Sequence, residues 1–153
     1  MVAPDSGRQR IVTDERCLFC RIIAGDEPAS VVWADGAVTV FLDTRPLFPG
    51  HSLVVPNRHV VTLADLDPTE VGPLFSVVQR LSEAVPSAMG ALGSFVANNN
   101  TVSQSVPHLH VHVVPRRPKD GLRGFFWPRT RYDSDQEAAE VARRIAEVYR
   151  RLT

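Results

Sequence analysis

The heptapeptide His108-Leu109-His110-Val111-His112-Val113-Val114 constrains this chain more than any other stretch. Successive side chains of a strand point to opposite faces, so the three imidazoles share one face and Leu109, Val111 and Val113 share the other. The apolar face belongs against a core, and the imidazoles must line something else. Three of the five histidines fall within these few residues, too dense a cluster for a solvated face that is His-rich by accident. A single centre held by all three fails on reach. Along a strand i to i+2 is about 6.7 Å and i to i+4 about 13 Å, whereas metal–nitrogen bonds are about 2 Å. Neighbours in the row could share an ion, but His108 and His112 could not. The row suits two adjacent tasks: a metal at one end, and an extended ligand such as a phosphate chain at the other.

The rest of the chain supplies a fold for such a strand. Val31-Val32-Trp33, Val38 to Leu42, Ser52 to Val55 and Ser94 to Ala97 are short β-rich runs. Asp35-Gly36, between the first two, is a hairpin signal. Asp67-Pro68-Thr69-Glu70 opens a helix, with Asp67 as its cap, Pro68 at the first helical position and Glu70 placed to reach back. Val71, Leu74, Phe75, Val78, Leu81 and Val85 give it one apolar stripe, and Pro73 is expected to bend its first turns. A second helix, roughly Gln136 to Leu152, carries Val141, Ile145, Val148 and Leu152 on one face, with Ser134 and Glu137 as a capping box. Strands bunched together with few helices between them predict an α+β fold: an antiparallel sheet of about five strands, residues 108 to 114 being the last, with two helices. Residues 1–14 are expected to form a flexible leader and residues 15–153 a single domain, with its core over 17–118 and a C-terminal extension and helix over 119–153.

Lysine plus arginine balance aspartate plus glutamate at 17 each. Without a net positive field there is no general electrostatic reason to expect a nucleic-acid partner, although a small anion needs only a local positive site. No apolar h-region opens the chain and no run of about 18 apolar residues occurs, so no membrane segment is expected and the default location is cytoplasmic. Cys17 and Cys20 form one C-x-x-C, better suited to metal or redox chemistry than to a staple. A thioredoxin-like role needs a βαβ context that is absent. The common glycine-rich phosphate loops are absent too.

The histidine strand resembles the H-φ-H-φ-H-φ-φ signature of the histidine-triad (HIT) superfamily. Cys17-Leu18-Phe19-Cys20-Arg21-Ile22-Ile23-Ala24-Gly25 is similar to the opening of its zinc-containing bacterial, Hint-like members. Phe41-Leu42-Asp43 and Pro49-Gly50-His51-Ser52-Leu53-Val54-Val55-Pro56-Asn57-Arg58-His59 resemble the family's middle segment, and Gln104-Ser105-Val106 the stretch ahead of the triad. Together these cover roughly residues 17 to 118, four motifs in the family's order.

The resemblance implies a HIT-like fold and a nucleotide hydrolase or nucleotidyl transferase acting at the α-phosphate. His110 falls on the family's nucleophile, and imidazole, appreciably neutral at pH 7, needs no separate strong base for that role. His112 and Ser105 would donate to the α-phosphate, and Gln104 would sit near the leaving group. The base and ribose pocket falls on Phe19, Ile22, Phe41 and Asp43, with Asp43 accepting from ribose hydroxyls. Asn98 to Asn100 could cradle phosphate oxygens or be plain turn residues, and His51 could be catalytic or structural. Relatives commonly carry glycines in this loop and a glycine directly before the Gln-Ser pair, where this chain has Ser103. Cys17, Cys20, His59 and His108 give a Cys₂His₂ set whose four protein ligands leave no place for water, hence a structural zinc. The basic, aromatic stretch 115–131 could cap the substrate, cover the sheet or seal a dimer. The expected ligand is a purine nucleotide or nucleotide conjugate, such as a nucleoside phosphoramidate or dinucleoside polyphosphate, and the expected partner a second copy of the chain. Two other readings are a dinucleoside polyphosphate phosphorylase and a non-catalytic, zinc-stabilised nucleotide-binding protein.

Overall fold

The computed structural model describes residues 13–122 and 130–152. All but the end of the expected leader, and residues 123–129 of the 115–131 stretch, lie outside the described residues. The chain divides into two compact units, Met1–Asp120 and Gly121–Thr153.

The first unit is built on five strands: β1 (Val31–Ala34), β2 (Val38–Leu42), β3 (Ser52–Pro56), β4 (Gly93–Ala97) and β5 (Val111–Arg116). They pair in the order β1-β2-β3-β5-β4, and every pairing is antiparallel. The α+β class and the five-stranded antiparallel sheet are as the sequence predicts. β3, at the centre, is buried along its whole length. Side-chain alternation gives the sheet two apolar faces. On one, Val38, Val40, Val54, Leu109, Val111 and Val113 pack against Leu74, Val77, Val78, Leu81 and Val85 of helix α2 (Pro68–Met89). On the other, Phe41, Leu53 and Val55 pack against Cys17, Phe19 and Cys20.

Among the described residues three α-helices form rather than the two expected. The additional one, α1 (Leu18–Ala24), has Cys17 as an N-cap without a side-chain cap bond and stops at Gly25 in the left-handed region (φ 85°). At seven residues it has little intrinsic stability, and burial of Phe19 and Cys20 against the sheet supports it. α2 starts as predicted, with the Asp67 side chain accepting from the Thr69 N–H at 2.8 Å and Pro68 in its first turn. Glu70 does not reach back to close a capping box. Its carboxylate instead accepts from Arg58, Nε to Oε2 at 3.0 Å, because a guanidinium offers it a charge-assisted bond. The helix continues through Pro73 and Pro86 to Met89.

The last strand also differs from expectation. It begins at Val111, not at His108. The β3–β5 register pairs Leu53 with His112 and Val54 with Val111, and the ladder then meets Pro56, which has no N–H to give. The chain over His108–His110 stays beside the sheet by another bond, Leu109 N–H to the Val60 carbonyl at 2.7 Å. The facial alternation survives, since Leu109 lies in the α2-side core with Val111 and Val113.

The second unit contains α3 (Asp135–Leu152). Ser134 Oγ accepts from the Glu137 N–H at 3.1 Å, and Glu137 accepts from the Asp133 N–H at 2.6 Å, one residue before the position a capping box uses. The predicted stripe is present, but none of its residues is buried. Among the described residues no helix is long and apolar enough to cross a membrane.

Candidate active site and metal centre

Strand register assembles the site. Phe41 pairs with Leu53, and Leu53 with His112, so these three form one row on the α1 side of the sheet. Two residues on from Phe41 and two back from Leu53, Asp43 and His51 continue that face. The Asp43 N–H donates to the His51 carbonyl at 3.0 Å. His108 and His110 extend the row beyond the ladder.

At one end of the row, Cys17, Cys20, His59 and His108 bring their ligand atoms within 4.8 Å of one another. Cys17 Sγ is 3.4 Å from His108 Nδ1, Cys20 Sγ is 3.6 Å from the same nitrogen, and Cys20 Sγ is 3.4 Å from His59 Nδ1. On a tetrahedral zinc with bonds of about 2.3 Å to sulfur and 2.0–2.1 Å to nitrogen, neighbouring S and N atoms stand about 3.5 Å apart. The four residues therefore fit a metal ion. His108 is fully buried, and its Nε2–H donates to the Pro56 carbonyl at 2.8 Å, which turns the Nδ1 lone pair toward the thiols. Burial holds this imidazole down at about 4, the neutral state a ligand needs. The Asp14 N–H approaches Cys20 Sγ at 3.5 Å.

At the middle of the row, His110 Nδ1–H donates to the His108 carbonyl at 2.7 Å, leaving Nε2 as the ring nitrogen with the free lone pair. Phe19 meets the His110 ring edge-on, with centroids 5.2 Å apart, and Phe41 meets Phe19 at the same distance. Phe19 and Phe41 are buried in the core of this face, while Ile22 is only partly covered. The His112 ring lies 4.9 Å from that of His110, centroid to centroid. His112 Nδ1 is 2.9 Å from His51 Nε2, which is itself 3.8 Å from Asp43 Oδ2. The other oxygen of Asp43 accepts from the Arg45 N–H at 2.8 Å.

The loop ahead of the triad divides its polar side chains. Asn98 Nδ2 donates to the His110 carbonyl at 2.8 Å, and its Oδ1 is buried with no hydrogen-bond partner among the described residues. Asn100 accepts from the Leu63 N–H at 2.8 Å. Gln104 is held at both ends of its amide, accepting from the Thr101 N–H at 2.9 Å and donating to the Val61 carbonyl at 2.6 Å. Ser105 is exposed, on a cleft shared with Cys17, His59 and Pro107. Thr101 and Ser103 are left-handed, with φ of 68° and 60°, the region that glycine occupies without strain. The structure thus brings Phe19, Asp43, His51, His110 and His112 to one face, while Asn98 bonds the backbone of His110, Gln104 ties the loop to Val61, and Ser105 lies on the cleft beside Cys17 and His59. Sequence reading missed the backbone groups that orient the rings, the Pro56 and His108 carbonyls and the Leu47 N–H, since every residue type carries such groups.

A family model described as the HIT domain matches residues 24–119. An uncharacterised HIT-like protein of Mycobacterium tuberculosis is 38% identical over 124 residues, covering 80% of this chain and 86% of that one. An adenylylsulfatase of Arabidopsis thaliana is 36% identical, covering 69% of this chain and 55% of that one. A crystal structure of a zinc-bound histidine-triad family protein from Mycobacterium smegmatis superposes with a TM-score of 0.67 at 38% identity, over 80% of this chain and 86% of that one. With its three histidines on one face of such a sheet, the chain belongs to the HIT-domain family.

Proposed function

We propose that this protein is a nucleotide hydrolase or nucleotidyl transferase that works at the α-phosphate through a nucleotidyl-His110 intermediate. The observation that carries the reading is the bond from His110 Nδ1–H to the His108 carbonyl, which in the neutral ring puts the free lone pair on Nε2, available to phosphorus. In the first step the Nε2 lone pair forms the N–P bond while the bond to the leaving group breaks, its electrons departing with that group. In the second, water attacks phosphorus and releases a proton to solvent, the N–P bond breaks with its electron pair returning to Nε2, and neutral His110 is recovered. His112 donates to a non-bridging oxygen as charge develops, and the exposed Ser105 hydroxyl donates to the same phosphate. Gln104 borders the leaving group. Asp43 receives the ribose hydroxyls, and Phe19, Ile22 and Phe41 back the base of a purine nucleotide or conjugate. The adenylylsulfatase among the relatives supports hydrolysis of a nucleotide conjugate.

Zinc in the Cys₂His₂ set would polarise no substrate, because protein atoms fill its four positions. Its place in this reading is structural. A single domain over residues 15–153, a cytoplasmic location and pairing with a second copy complete the reading.

Turnover of a fluorogenic adenosine phosphoramidate, set beside diadenosine polyphosphates, tests it. His110→Asn should abolish nearly all turnover while nucleotide affinity stays within about tenfold, since the lost bond forms only along the reaction path. Mass spectrometry of quenched protein should find a nucleotidyl adduct on His110. Wild-type kcat in His110→Asn would place the nucleophile elsewhere.

A further inference from the structure

Asp43, His51 and His112 form a second group whose ligand atoms lie within 4.8 Å of one another. Two imidazoles and a carboxylate are a composition that metals favour, but the backbone around them points to another use. The N–H of Leu47 donates to His51 Nδ1 at 3.1 Å. A nitrogen that accepts a hydrogen bond carries no proton, so the proton of the neutral His51 ring sits on Nε2. That nitrogen faces His112 Nδ1 at 2.9 Å, a hydrogen-bond distance, and so donates to it. His112 Nδ1 is then also without a proton, and the ring carries its own on Nε2. The order is Leu47 N–H to His51 Nδ1, His51 Nε2–H to His112 Nδ1, with His112 Nε2–H directed onward.

We infer that the Leu47 backbone amide, acting through His51, locks His112 as a neutral Nε2–H donor. His51 is thus a positioning residue for the donor that touches the phosphate, an inference that rests on the phosphoryl-transfer reading above. Three consequences follow from the same bonds. Metal coordination at His51 Nε2 would force the proton onto Nδ1, against the Leu47 N–H, so the second group does not suit an ion. The Asp43 carboxylate, the charged group that faces His51, cannot draw it into a fully protonated pair while Leu47 occupies Nδ1. At 3.8 Å from His51 Nε2, Asp43 Oδ2 stays outside hydrogen-bond range and free for a ligand. Burial, which pushes both imidazoles below their usual range, agrees with neutral rings. The Leu47 side chain is exposed, so its contribution is the peptide N–H alone.

The test reads the tautomers directly. Long-range ¹H–¹⁵N spectra of the full chain labelled at histidine, near neutral pH, should show His51 and His112 each protonated at Nε2. Leu47→Pro deletes the amide hydrogen without touching a site side chain. It should mix the His51 tautomers and cut kcat tenfold or more with KM little changed, whereas Leu47→Ala, which keeps the N–H, should show the wild-type pattern. His51→Gln supplies a second arm that does not depend on Leu47→Pro folding. Its amide can accept from Leu47 with oxygen and donate to His112 with nitrogen, but cannot carry a proton across. It should keep most of the turnover that His51→Ala loses. A wild-type His51 protonated at Nδ1, or a His51→Gln as inactive as His51→Ala, overturns the lock. Failure to turn over any nucleotide in a chain that shows the expected tautomers would sink the phosphoryl-transfer reading and leave the lock supported.

Discussion

Each of the three triad rings has a defined protonation site, set by one neighbouring group. His108 keeps its proton on Nε2 through Pro56, His110 on Nδ1 through the His108 carbonyl, and His112 on Nε2 through His51. Burial adds a pH signature. It holds His112 down at about 4, with His110 and His51 acting in the same direction, whereas an unfolded histidine titrates near about 6.5. Between those limits the unfolded chain binds a proton that the folded chain refuses, so stability is full above about pH 6.5 and falls as pH drops toward 4. His112→Gln removes that difference and leaves the metal set in place. Urea midpoints should therefore fall less between about pH 7 and about pH 5 in His112→Gln than in the wild type. Parallel slopes would contradict the buried, neutral ring. At Asp43 the expectation is a ribose contact. The 2′,3′-dideoxy form of a nucleotide should bind the wild type more weakly by about 1.5–3 kcal/mol and Asp43→Ala with little penalty, measured by calorimetry. Equal penalties in both proteins would move ribose recognition to another group.

At the scale of elements, the turn between β2 and β3 holds the site's geometry. It carries Asp43, the Leu47 amide, Gly50 and His51, and it leans on the far end of α2. Gly50 has φ 96°, and a Cβ there would come within 2.6 Å of Met89 Cγ. Gly50→Ala therefore meets both backbone strain and a clash, and should destabilise by about 1–3 kcal/mol. A double-mutant cycle with Met89→Ala should show favourable coupling, because the clash disappears, yet leave Gly50→Ala destabilising, because the φ strain does not. Full recovery in the double variant would mean the backbone there is unstrained. The loop from Asn100 to Gln104 is held instead by side-chain bonds of Gln104 to Val61 and of Asn100 to Leu63, with left-handed backbone at two non-glycine positions.

For the first unit as a whole, the Cys₂His₂ set joins segments that the sheet alone does not. α1 brings Cys17 and Cys20 from one face, His59 follows β3, and His108 precedes β5. A metal there would tie the N-terminal helix to the segment that carries His110 ahead of β5, and would contribute folding free energy directly. Protein purified without added zinc should contain about one zinc per chain, the stoichiometry of a single four-ligand site. Cys17→Ser should bind less and melt earlier. Chelation should act slowly, and added zinc should restore stability without being needed at each turnover. Because its ligands must be deprotonated, this contribution also fades in acid. A metal-free wild type that melts with Cys17→Ser would dismiss the centre.

Local pattern by itself determined much of this protein. Short β-rich runs marked four strands, Asp67-Pro68 marked the start of α2, and the His-φ-His alternation marked the fifth strand and placed three imidazoles on one face even though the ladder begins only at Val111. Resemblance to the HIT family, together with the C-x-x-C, singled out Cys17, Cys20, His59 and His108. Tertiary structure decided the rest. α1 has no capping side chain, and burial against Phe41, Leu53 and Val55 supports its seven residues. Glu70 turned to Arg58 because folding brought a guanidinium to it. Gln104 and Asn100 became ties for the loop, while Asn98 kept an orphaned oxygen. Above all, which nitrogen of each histidine bears its proton depends on backbone groups at Pro56, His108 and Leu47. Peptide groups are identical along the chain, so only the fold chooses which of them meets an imidazole.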